Sequence, residues 1–356
     1  MSLRFLTAGE SHGPSETAIL EGLPSGLSIT KEDIQKDLDK RRSGAGRGGR
    51  GLIEKDQVKI LSGIRHGKTL GSPVALTVEN IDFANWKEKM QIEPLPKGKK
   101  IEEVTNPRPG HADLAGAQKY GFSDIRNVLE RASARETIMR VAIGTLCRKL
   151  LLEFGINITS KIIQIGKEKK DWERAIMEAI KKKDTLGGVI EITAKNVPPG
   201  LGSYVHWDRK LDGLLSHALM SIPSVKAVEI GNGISSSGKF GSEIHDEIFY
   251  KNKFNRKTNN AGGLEGGVTN GQSVICTVYH KPISTLGNPL KTVDLKTKKP
   301  ATALIERSDI CVVPRAGIIS ESMVAFVLAN AFLEKFGTDN LDDIKMNFKN
   351  YLDRIK

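Results

Sequence analysis

Hydrophobic residues recur along the chain at two spacings, and these predict an alternation of strands and helices. Apolar runs rich in β-branched residues predict strands over residues 189–193, 225–230 and 273–278. Apolar positions at helical spacing predict amphipathic helices over residues 136–154, 171–182, 208–220 and 322–336. A further helix is predicted over residues 30–38, because Thr30 and Asp33 form a capping arrangement at its start. This pattern is typical of a mixed α and β fold.

Two segments of the chain repeat each other at a shift of 200 residues. Residues 63–78 align without gaps on residues 263–278, and seven of the sixteen positions are identical. A shorter match relates residues 24–27 to residues 198–201, and each copy leads into a helical pattern. Chance similarity in glycine-rich sequence is the alternative, but two matches in the same order favour an ancient duplication. We therefore expect a pseudo-twofold architecture within one chain.

Composition indicates the class of protein but not the kind of ligand that it binds. With 356 residues, 38% of them hydrophobic, the chain is long enough for a sizeable core. No stretch approaches the ~20 uninterrupted apolar residues of a membrane span, and the first residues lack the apolar region of a secretory signal. We expect a cytoplasmic protein with no membrane partner. The net charge of +12 favours acidic partners, whether nucleic acid or metabolite.

The three cysteines indicate neither a disulfide framework nor a metal site. Cys147, Cys276 and Cys311 lie singly in apolar surroundings, without the close spacing of zinc ligands. We expect three buried, reduced thiols and no metal.

Residues 41–50 place four arginines among glycines, with no acidic residue and no apolar anchor. Glycine lets backbone N–H groups approach a ligand, and guanidinium groups match phosphate and carboxylate oxygens, so a dense anion is the natural partner. One alternative is loose RNA binding by an arginine-glycine segment. The segment is short and internal and lacks aromatic residues on which bases stack, and a helix precedes it. A small anionic metabolite is the other alternative.

Two histidines lie in loops that are suited to proton transfer. Ser11 and His12 are set between glycines in residues 7–13, just after a short apolar strand. In residues 106–113, two prolines restrict the backbone around Arg108 and a glycine precedes His111, so a turn holds both side chains. Two such histidines could serve two different proton transfers.

Two further segments carry charge at predicted element ends. Ser133 is a candidate N-cap in residues 130–136, where a helix N-terminus beside Arg131 and Arg135 would bind an anion. A charged helix start with internal ion pairs is the alternative. Arg307 and Asp309 would lie on one side of an extended segment, which would place a cation beside a base.

Together and in this order, the motifs resemble those of chorismate synthases. The resemblance extends from about Leu3 to Leu333 and rests on residues 8–13, on Arg41, Arg42 and Arg47, on residues 108–113 and 131–136, and on two glycine pairs, Gly262-Gly263 and Gly266-Gly267. It implies conversion of 5-enolpyruvylshikimate 3-phosphate to chorismate and phosphate, with reduced FMN as cofactor and no net redox change. An RNA-binding module would leave both histidines without a role. An ATP-dependent kinase is disfavoured because no Gly-x-x-x-x-Gly-Lys-Ser/Thr segment is present.

The resemblance also implies an architecture and an assembly. The expected fold is α+β, a layer of helices between two four-stranded antiparallel sheets with internal pseudo-symmetry. It forms a single domain over residues 1–356, with halves of about 1–165 and 166–340. Family members are commonly homotetramers. The chain contains no added nucleotide-binding segment, so reduced flavin is expected from an external flavin reductase, and no nucleic acid partner is expected.

The resemblance assigns roles residue by residue. It implies that His111 protonates the departing phosphate, that His12 acts near the flavin, that Asp309 assists proton removal, and that Ser11 and Ser133 support the site. The expected substrate ligands are Arg41, Arg47, Arg50, Arg108, Arg135 and Arg307. Arg41 and Arg47 are also the positions implied for a nicotinamide cofactor, NADP. The expected FMN contacts are Arg131, Ala132, Ser133, Pro223, Ser224, Gly266, Lys281, Pro282, Ile283, Ser284, Thr285 and Arg307.

Overall fold

A computed structural model describes residues 3–46, 56–306 and 308–356, and its main strands form two antiparallel sheets. In chain order the strands are β1 (Arg4–Ala8), β2 (Ser15–Glu21), β3 (Val58–Ile60), β4 (Ile64–Arg65), β5 (Lys68–Thr69), β6 (Val74–Glu79), β7 (Asn157–Ile165), β8 (Gly188–Lys195), β9 (Val225–Ile230), β10 (Ile248–Tyr250), β11 (Phe254–Arg256), β12 (Leu264–Glu265), β13 (Val268–Thr269), β14 (Val274–His280), β15 (Lys291–Val293) and β16 (Pro300–Thr302). One four-stranded sheet has the order β1-β2-β6-β3 and the other the order β7-β8-β14-β9, with every neighbouring pair antiparallel. The remaining strands pair as two-stranded hairpins.

Helices pack on both sheets and on each other. In chain order they are α1 (Lys31–Arg42), α2 (Asp113–Tyr120), α3 (Arg126–Leu129), α4 (Thr137–Leu152), α5 (Trp172–Lys182), α6 (Leu211–Met220), α7 (Gly233–Ser236), α8 (Gly241–Ile244), α9 (Val313–Phe336) and α10 (Leu341–Arg354). Helix α4 contacts β1, β2 and β6, whereas α9 contacts β7 and β8, and the two helices pack against each other. Helix α1 contacts both α4 and α9, and α6 contacts α9 and β9. Residues of both sheets and of these helices belong to one continuous hydrophobic core.

Helix α9 is the centre of this core. Among the described residues it is the one helix long and apolar enough to cross a membrane by length and composition, and 83% of its most apolar window is buried inside the protein. Leu328 and Phe332 on this helix are fully buried, and Phe332 packs against Phe154, Phe336 and Phe348. Its hydrophobicity is therefore that of a core helix.

Most predicted elements are confirmed, with differences at their ends. Strands lie within residues 189–193, 225–230 and 273–278, and helices occupy the predicted segments around α4, α5 and α6. Thr30 caps α1 and Asp33 completes the capping box, but the helix extends to Arg42 and so includes the first two arginines of the arginine-glycine segment. Helix α9 begins at Val313, nine residues before the predicted start. The α+β class is confirmed, and the three cysteines are free and buried.

The two repeated segments have matching local structure. Residues 63–78 form the hairpin β4–β5 followed by β6, and residues 263–278 form the hairpin β12–β13 followed by β14. The Thr69 hydroxyl donates to the carbonyl of Pro24 at 2.6 Å and accepts from the amide of Leu27 at 3.0 Å. The Thr269 hydroxyl makes the same two bonds, to the carbonyl of Pro198 at 2.7 Å and from the amide of Leu201 at 2.8 Å. The sequence repeat is thus also a repeat of backbone geometry.

Candidate active site

A cavity of about 390 Å³ lies where segments from both halves of the chain meet. Its walls come from the loop after β1, the end of α1, the loop before α2, the turn before α4, the segment after β14 and the start of α9. Its volume is within the range of small-molecule sites. Both polar and apolar groups face it, so it can hold a charged ligand that also has a carbon skeleton.

Arg108, His111 and Asp113 form one hydrogen-bonded cluster on the cavity wall. Nδ1 of His111 lies 2.5 Å from Oδ1 of Asp113, and the Arg108 guanidinium donates to both carboxylate oxygens, at 2.8 and 3.1 Å. Nη2 of Arg108 also lies 3.0 Å from Nδ1 of His111. Arg108 and His111 line the cavity, and Asp113 is fully buried behind them.

The local sequence explains why this cluster forms. The amide of His111 donates to the carbonyl of Arg108 at 3.2 Å, which closes the turn, and Gly110 has a positive φ of 80°. Asp113 is the first residue of α2, so its carboxylate is held at a helix start. Burial raises the pKa of Asp113, but hydrogen bonds and charges from His111 and Arg108 outweigh it and hold that pKa well below its usual range. The carboxylate therefore stays ionised and fixes the positions of both partners.

His12 lies in a second cluster, next to the cavity-lining Ser11. The Nδ1 atom of His12 lies 2.9 Å from Oε1 of Glu130, and the His12 backbone N–H donates to Oε2 of the same carboxylate at 2.7 Å. The ring packs on Trp86, with a centroid distance of 3.8 Å, and Arg126 pairs with Glu130 at 2.8 Å. Burial raises the pKa of Glu130, but bonds from His12 and Arg126 outweigh this and lower it. His12 itself is not among the cavity-lining residues.

Arg41 and Arg135 converge on the cavity from different elements. Arg41, near the end of α1, donates to the carbonyl of Ala134 and to the hydroxyl of Thr137, both at 3.1 Å. Both guanidinium groups lie 3.7 Å from the buried carboxylate of Asp56. Ser133 caps the short 3₁₀ helix Ala134–Glu136 by accepting from the Arg135 amide, so its predicted capping role is confirmed for this turn but not for the long helix α4, whose start has no side-chain cap. This arrangement gives the cavity a cationic wall in which Asp56 is the shared counter-ion of Arg41 and Arg135.

The segment after β14 forms the facing wall. The hydroxyl of Thr285 accepts from Nη1 of Arg108 at 2.9 Å, and Nζ of Lys281 donates to the carbonyl of Gly110. Burial, with the nearby charge of Lys226, lowers the pKa of Lys281. These contacts tie residues of the second half to the His111 turn of the first.

Ser224 links this wall to a buried histidine. Its hydroxyl lies 2.9 Å from Nδ1 of His280, and its backbone has a positive φ of 73°, which is uncommon outside glycine. Burial lowers the pKa of His280 to about 4, so the ring is neutral and structural at physiological pH.

Asp309 also faces the cavity and is ion-paired with Arg315 at the start of α9. The neighbouring Ser308 hydroxyl donates to the carbonyl of Thr285 at 3.3 Å. The predicted pairing of Asp309 with Arg307 concerns a residue outside the described part of the chain. Within that part, Arg315 is the cation beside Asp309.

Most of the predicted site residues come together at this cavity. Those that line it are Ser11, Arg41, Arg108, His111, Ala132, Ser133, Arg135, Pro223, Ser224, Lys281, Pro282, Ile283, Ser284, Thr285 and Asp309. His12, Arg131 and Gly266 do not line it. The Arg131 guanidinium donates to the carbonyls of Thr7 and Gly9, and Gly266 lies in the β12–β13 hairpin near Tyr204. Arg47, Arg50 and Arg307 lie outside the described residues, so their roles stay predictions.

Several residues of the site had no assigned role in the sequence analysis. Asp113 and Glu130 each orient a histidine, and Asp56 and Arg315 each pair with a predicted site residue. A sequence signal existed for Asp113, since the His111-Ala112-Asp113 spacing places a carboxylate within reach of the ring. Asp56 carries no such local signal because the fold brings it to Arg135 from a distant position, and no motif indicates the pairing of Arg315 with Asp309.

Comparison with known proteins shows the family of the chain and agrees with its fold class. The family model for chorismate synthase matches residues 3–333. Curated relatives named chorismate synthase are 51% identical in Thermoanaerobacter pseudethanolicus and 48% identical in Geobacter metallireducens, and each alignment covers 99% of this chain and 99% of the relative. A solved structure described as a crystal structure of chorismate synthase superimposes with a TM-score of 0.79 at 38% identity, covering 100% of this chain and 99% of that one. The chain therefore belongs to the chorismate synthase family of carbon–oxygen lyases.

Proposed function

We propose that this protein removes phosphate and a ring hydrogen from 5-enolpyruvylshikimate 3-phosphate to give chorismate, the last step of the shikimate pathway towards aromatic amino acids. The observation that carries the proposal is the Arg108–His111–Asp113 cluster on the wall of a cationic cavity. The proposed substrate has one phosphate and two carboxylates. A site for it needs several cations and an acid for the departing phosphate. The cluster supplies the acid and one of the cations, and the cavity wall supplies the others.

His111 is the proposed acid. With Nδ1–H donating to the ionised Asp113, Nε2 is the ring nitrogen that can hold a proton for a phosphate oxygen. Arg108, held by the same carboxylate, stabilises the negative charge that develops on the phosphate as its bond to carbon breaks. Asp113 thus fixes the direction of both the acid and the cation.

Arg41 and Arg135 are the proposed ligands for the other anionic groups of the substrate. Both line the cavity, and Arg135 is almost fully buried, so its charge acts in a region from which water is largely excluded. Arg47, Arg50 and Arg307 are proposed to join them on the resemblance alone. Asp309 is proposed to assist removal of the ring hydrogen, with Arg315 keeping its carboxylate oriented.

Reduced FMN is the proposed cofactor, and the cavity residues fit such a group. Hydroxyl and ammonium donors from Ser133, Ser284, Thr285 and Lys281 suit a flavin's phosphate and ring heteroatoms, and Ile283 with its apolar neighbours suits its flat ring. When bound, reduced flavin supplies electron density to the breaking carbon–oxygen bond and recovers it as hydrogen leaves. Ala132, Pro223, Ser224 and Pro282 would complete the holding residues, and Ser11 and Ser133 would support the site.

His12 is proposed to hold a proton next to the cofactor. Because Nδ1 is bound to Glu130, the other ring nitrogen, Nε2, is the atom that can exchange a proton. Its packing on Trp86 fixes the plane of the ring. His12 does not line the cavity itself, but its neighbour Ser11 does.

The test is turnover of the purified protein under anaerobic conditions with 5-enolpyruvylshikimate 3-phosphate and chemically reduced FMN, with chorismate and phosphate both measured. His111→Gln should lower turnover roughly 10²-fold or more, the usual contribution of a positioned acid. His206→Gln is a matched control, because His206 lies 2.7 Å from Asp208 at the same spacing but on the exposed surface. It should keep wild-type turnover. Absence of chorismate from the wild-type reaction would refute the proposed function.

Assembly and architecture follow as finer proposals. We infer a layered sandwich with the helices between the sheets and a duplication relating the halves 1–165 and 166–340, supported by the equal sheet orders and by the matching Thr69 and Thr269 contacts. A homotetramer is supported by exposed aromatic side chains such as Phe240, Tyr250 and Phe254. A cytoplasmic location, an external flavin reductase and NADP contact at Arg41 and Arg47 complete the proposal.

A further inference from the structure

Glu16 on β2 is a buried carboxyl group next to the active site, to which no role has been assigned so far. Glu16 is 1% exposed, and within the described part of the chain its Oε2 atom has no hydrogen-bond partner. The carboxyl lies against Gly9, where φ is 128° and an added Cβ would come within 2.6 Å of Oε2. Glycine at position 9 therefore leaves the space that this carboxyl occupies, under the loop that carries Ser11 and His12.

Charged groups act on Glu16 from the segment before α4 and from the loop after β1. Nη1 of Arg131 lies 3.8 Å from Oε2, Arg135 and Glu136 follow on the same segment, and Glu10 lies on the loop after β1. Burial raises the pKa of Glu16 to about 7, Arg135 and Arg131 act to lower it, and Glu136 and Glu10 act to raise it. Near neutral pH the carboxyl is therefore divided between its protonated and ionised forms.

Arg135, whose charge acts on the Glu16 carboxyl, also faces the cavity. Its guanidinium lines the cavity wall with a side chain only 5% exposed, so its charge is weakly screened by solvent. The positive charge of Arg135 stabilises both an anion bound in the cavity and an ionised Glu16. When the anion binds, the ionised form of Glu16 loses part of its electrostatic stabilisation and also meets a second negative charge. Protonation of Glu16 is then favoured.

We propose that Glu16 is a proton-coupled positioning residue, which takes up a proton when an anion binds beside Arg135 and releases it when the anion leaves. The inference rests on the proposed function in one respect, that Arg135 faces the bound anion. Because coupling between two binding events is reciprocal, Glu16 in its protonated form raises the affinity of the cavity for anions. The affinity of this site for anions therefore depends on pH around neutrality.

The test measures binding of sulfate, a dianion that does not titrate near neutral pH, by calorimetry in two buffers of different ionisation enthalpy. The wild-type protein should take up a fraction of a proton more per sulfate than Glu16→Gln. Between about pH 6 and about pH 9, the sulfate affinity of the wild-type protein should fall roughly fivefold or more relative to that of Glu16→Gln. Every other group is the same in both proteins, so the difference isolates Glu16. Glu21→Gln, an exposed glutamate on the same strand, is the matched control and should behave as wild type.

Equal proton uptake by the wild-type protein and Glu16→Gln would overturn this inference but not the assignment of the cavity to anions. Failure of the wild-type protein to bind sulfate would overturn it together with the assignment of the cavity to anions. If Glu16→Gln does not fold, infrared spectroscopy of the wild-type protein decides. A protonated-carboxyl band should then titrate near neutral pH, with a midpoint that sulfate moves to higher pH. A band that is absent, or that sulfate leaves unmoved, would overturn the inference.

Discussion

At the scale of single residues, the site is built from buried carboxylates set against arginines and histidines. A buried charge is tolerated when it is paired and hydrogen-bonded, and the number of partners decides its state. Asp113 receives bonds from Arg108 and His111 and stays ionised, whereas Oε2 of Glu16 has no hydrogen-bond partner within the described residues and its carboxyl holds its proton until near neutrality. The same residue class thus acts as a fixed anion at one position and as a titrating group at the other.

Asp113→Asn should lower turnover on the order of 10²-fold or more, because the amide nitrogen cannot accept from His111 or Arg108 and the acid loses its fixed direction. KM for the substrate should rise as well, since Arg108 loses the carboxylate that holds it. Steady-state kinetics under anaerobic conditions measures both. Asp208→Asn changes the exposed His206 pair and should have no effect. Wild-type kcat in Asp113→Asn would show that this carboxylate does not orient the acid.

Glu16 should make the folded protein less stable as pH rises through neutrality. The folded pKa of about 7 lies above the ordinary 4.5, so the folded state binds the proton more tightly and its contribution is fully present below pH 4.5 and lost as pH rises through 7. The resulting change in the free energy of unfolding is about 3 kcal/mol at most. Urea unfolding of the wild-type protein and of Glu16→Gln across this range measures it, and the titration of other groups such as His280 cancels in the comparison. A stability difference that does not change with pH would contradict the assignment.

At the scale of elements, periodicity predicts the amphipathic elements well and the central helix poorly. Helix α1 is predicted with its capping box because Thr30 and Asp33 act within one turn. The first nine residues of α9 are missed because this helix is buried on most of its circumference, so no polar face marks where it begins. The same distinction applies to the residues of the active site. The loops of His12 and His111 are visible in the sequence from their glycines and prolines, but the approach of Asp56 or Arg315 depends on contacts that no local pattern encodes.

Helices α4 and α9 cross at Gly144, which therefore tests their packing. A Cβ at this position would lie 2.1 Å from Cβ of Ser322 and 2.5 Å from its Cα, so the helices would have to separate. Gly144→Ala should destabilise the protein by about 1–3 kcal/mol in spite of its better helix propensity. Gly213→Ala in α6 meets no atom within 4 Å and should be neutral or stabilising by up to about 1 kcal/mol. Urea unfolding measures both, and equal effects would refute the close crossing.

At the scale of the whole molecule, one cavity depends on both halves of the chain. Ser11, Arg108 and Arg135 come from the first half, and Lys281 and Asp309 come from the second. The halves meet through α4, α9 and the contacts of the His111 turn with Thr285. Each half nevertheless repeats one hairpin-and-strand unit, fixed by a buried threonine in the same way. Equivalent threonine contacts thus hold the two copies of this unit.

The last prediction tests this equivalence. Thr69→Val removes the acceptor of the Leu27 amide and the donor to the Pro24 carbonyl, and Thr269→Val does the same to Leu201 and Pro198. Each substitution leaves buried backbone groups without a partner and should destabilise the protein by about 1–3 kcal/mol. The two networks share no residue, so the double variant should show the sum of the two effects. Thr338→Val, at an exposed hydroxyl, should change stability little. Urea unfolding of the four variants measures these effects, and a neutral change at either threonine would show that the two units are not held in the same way.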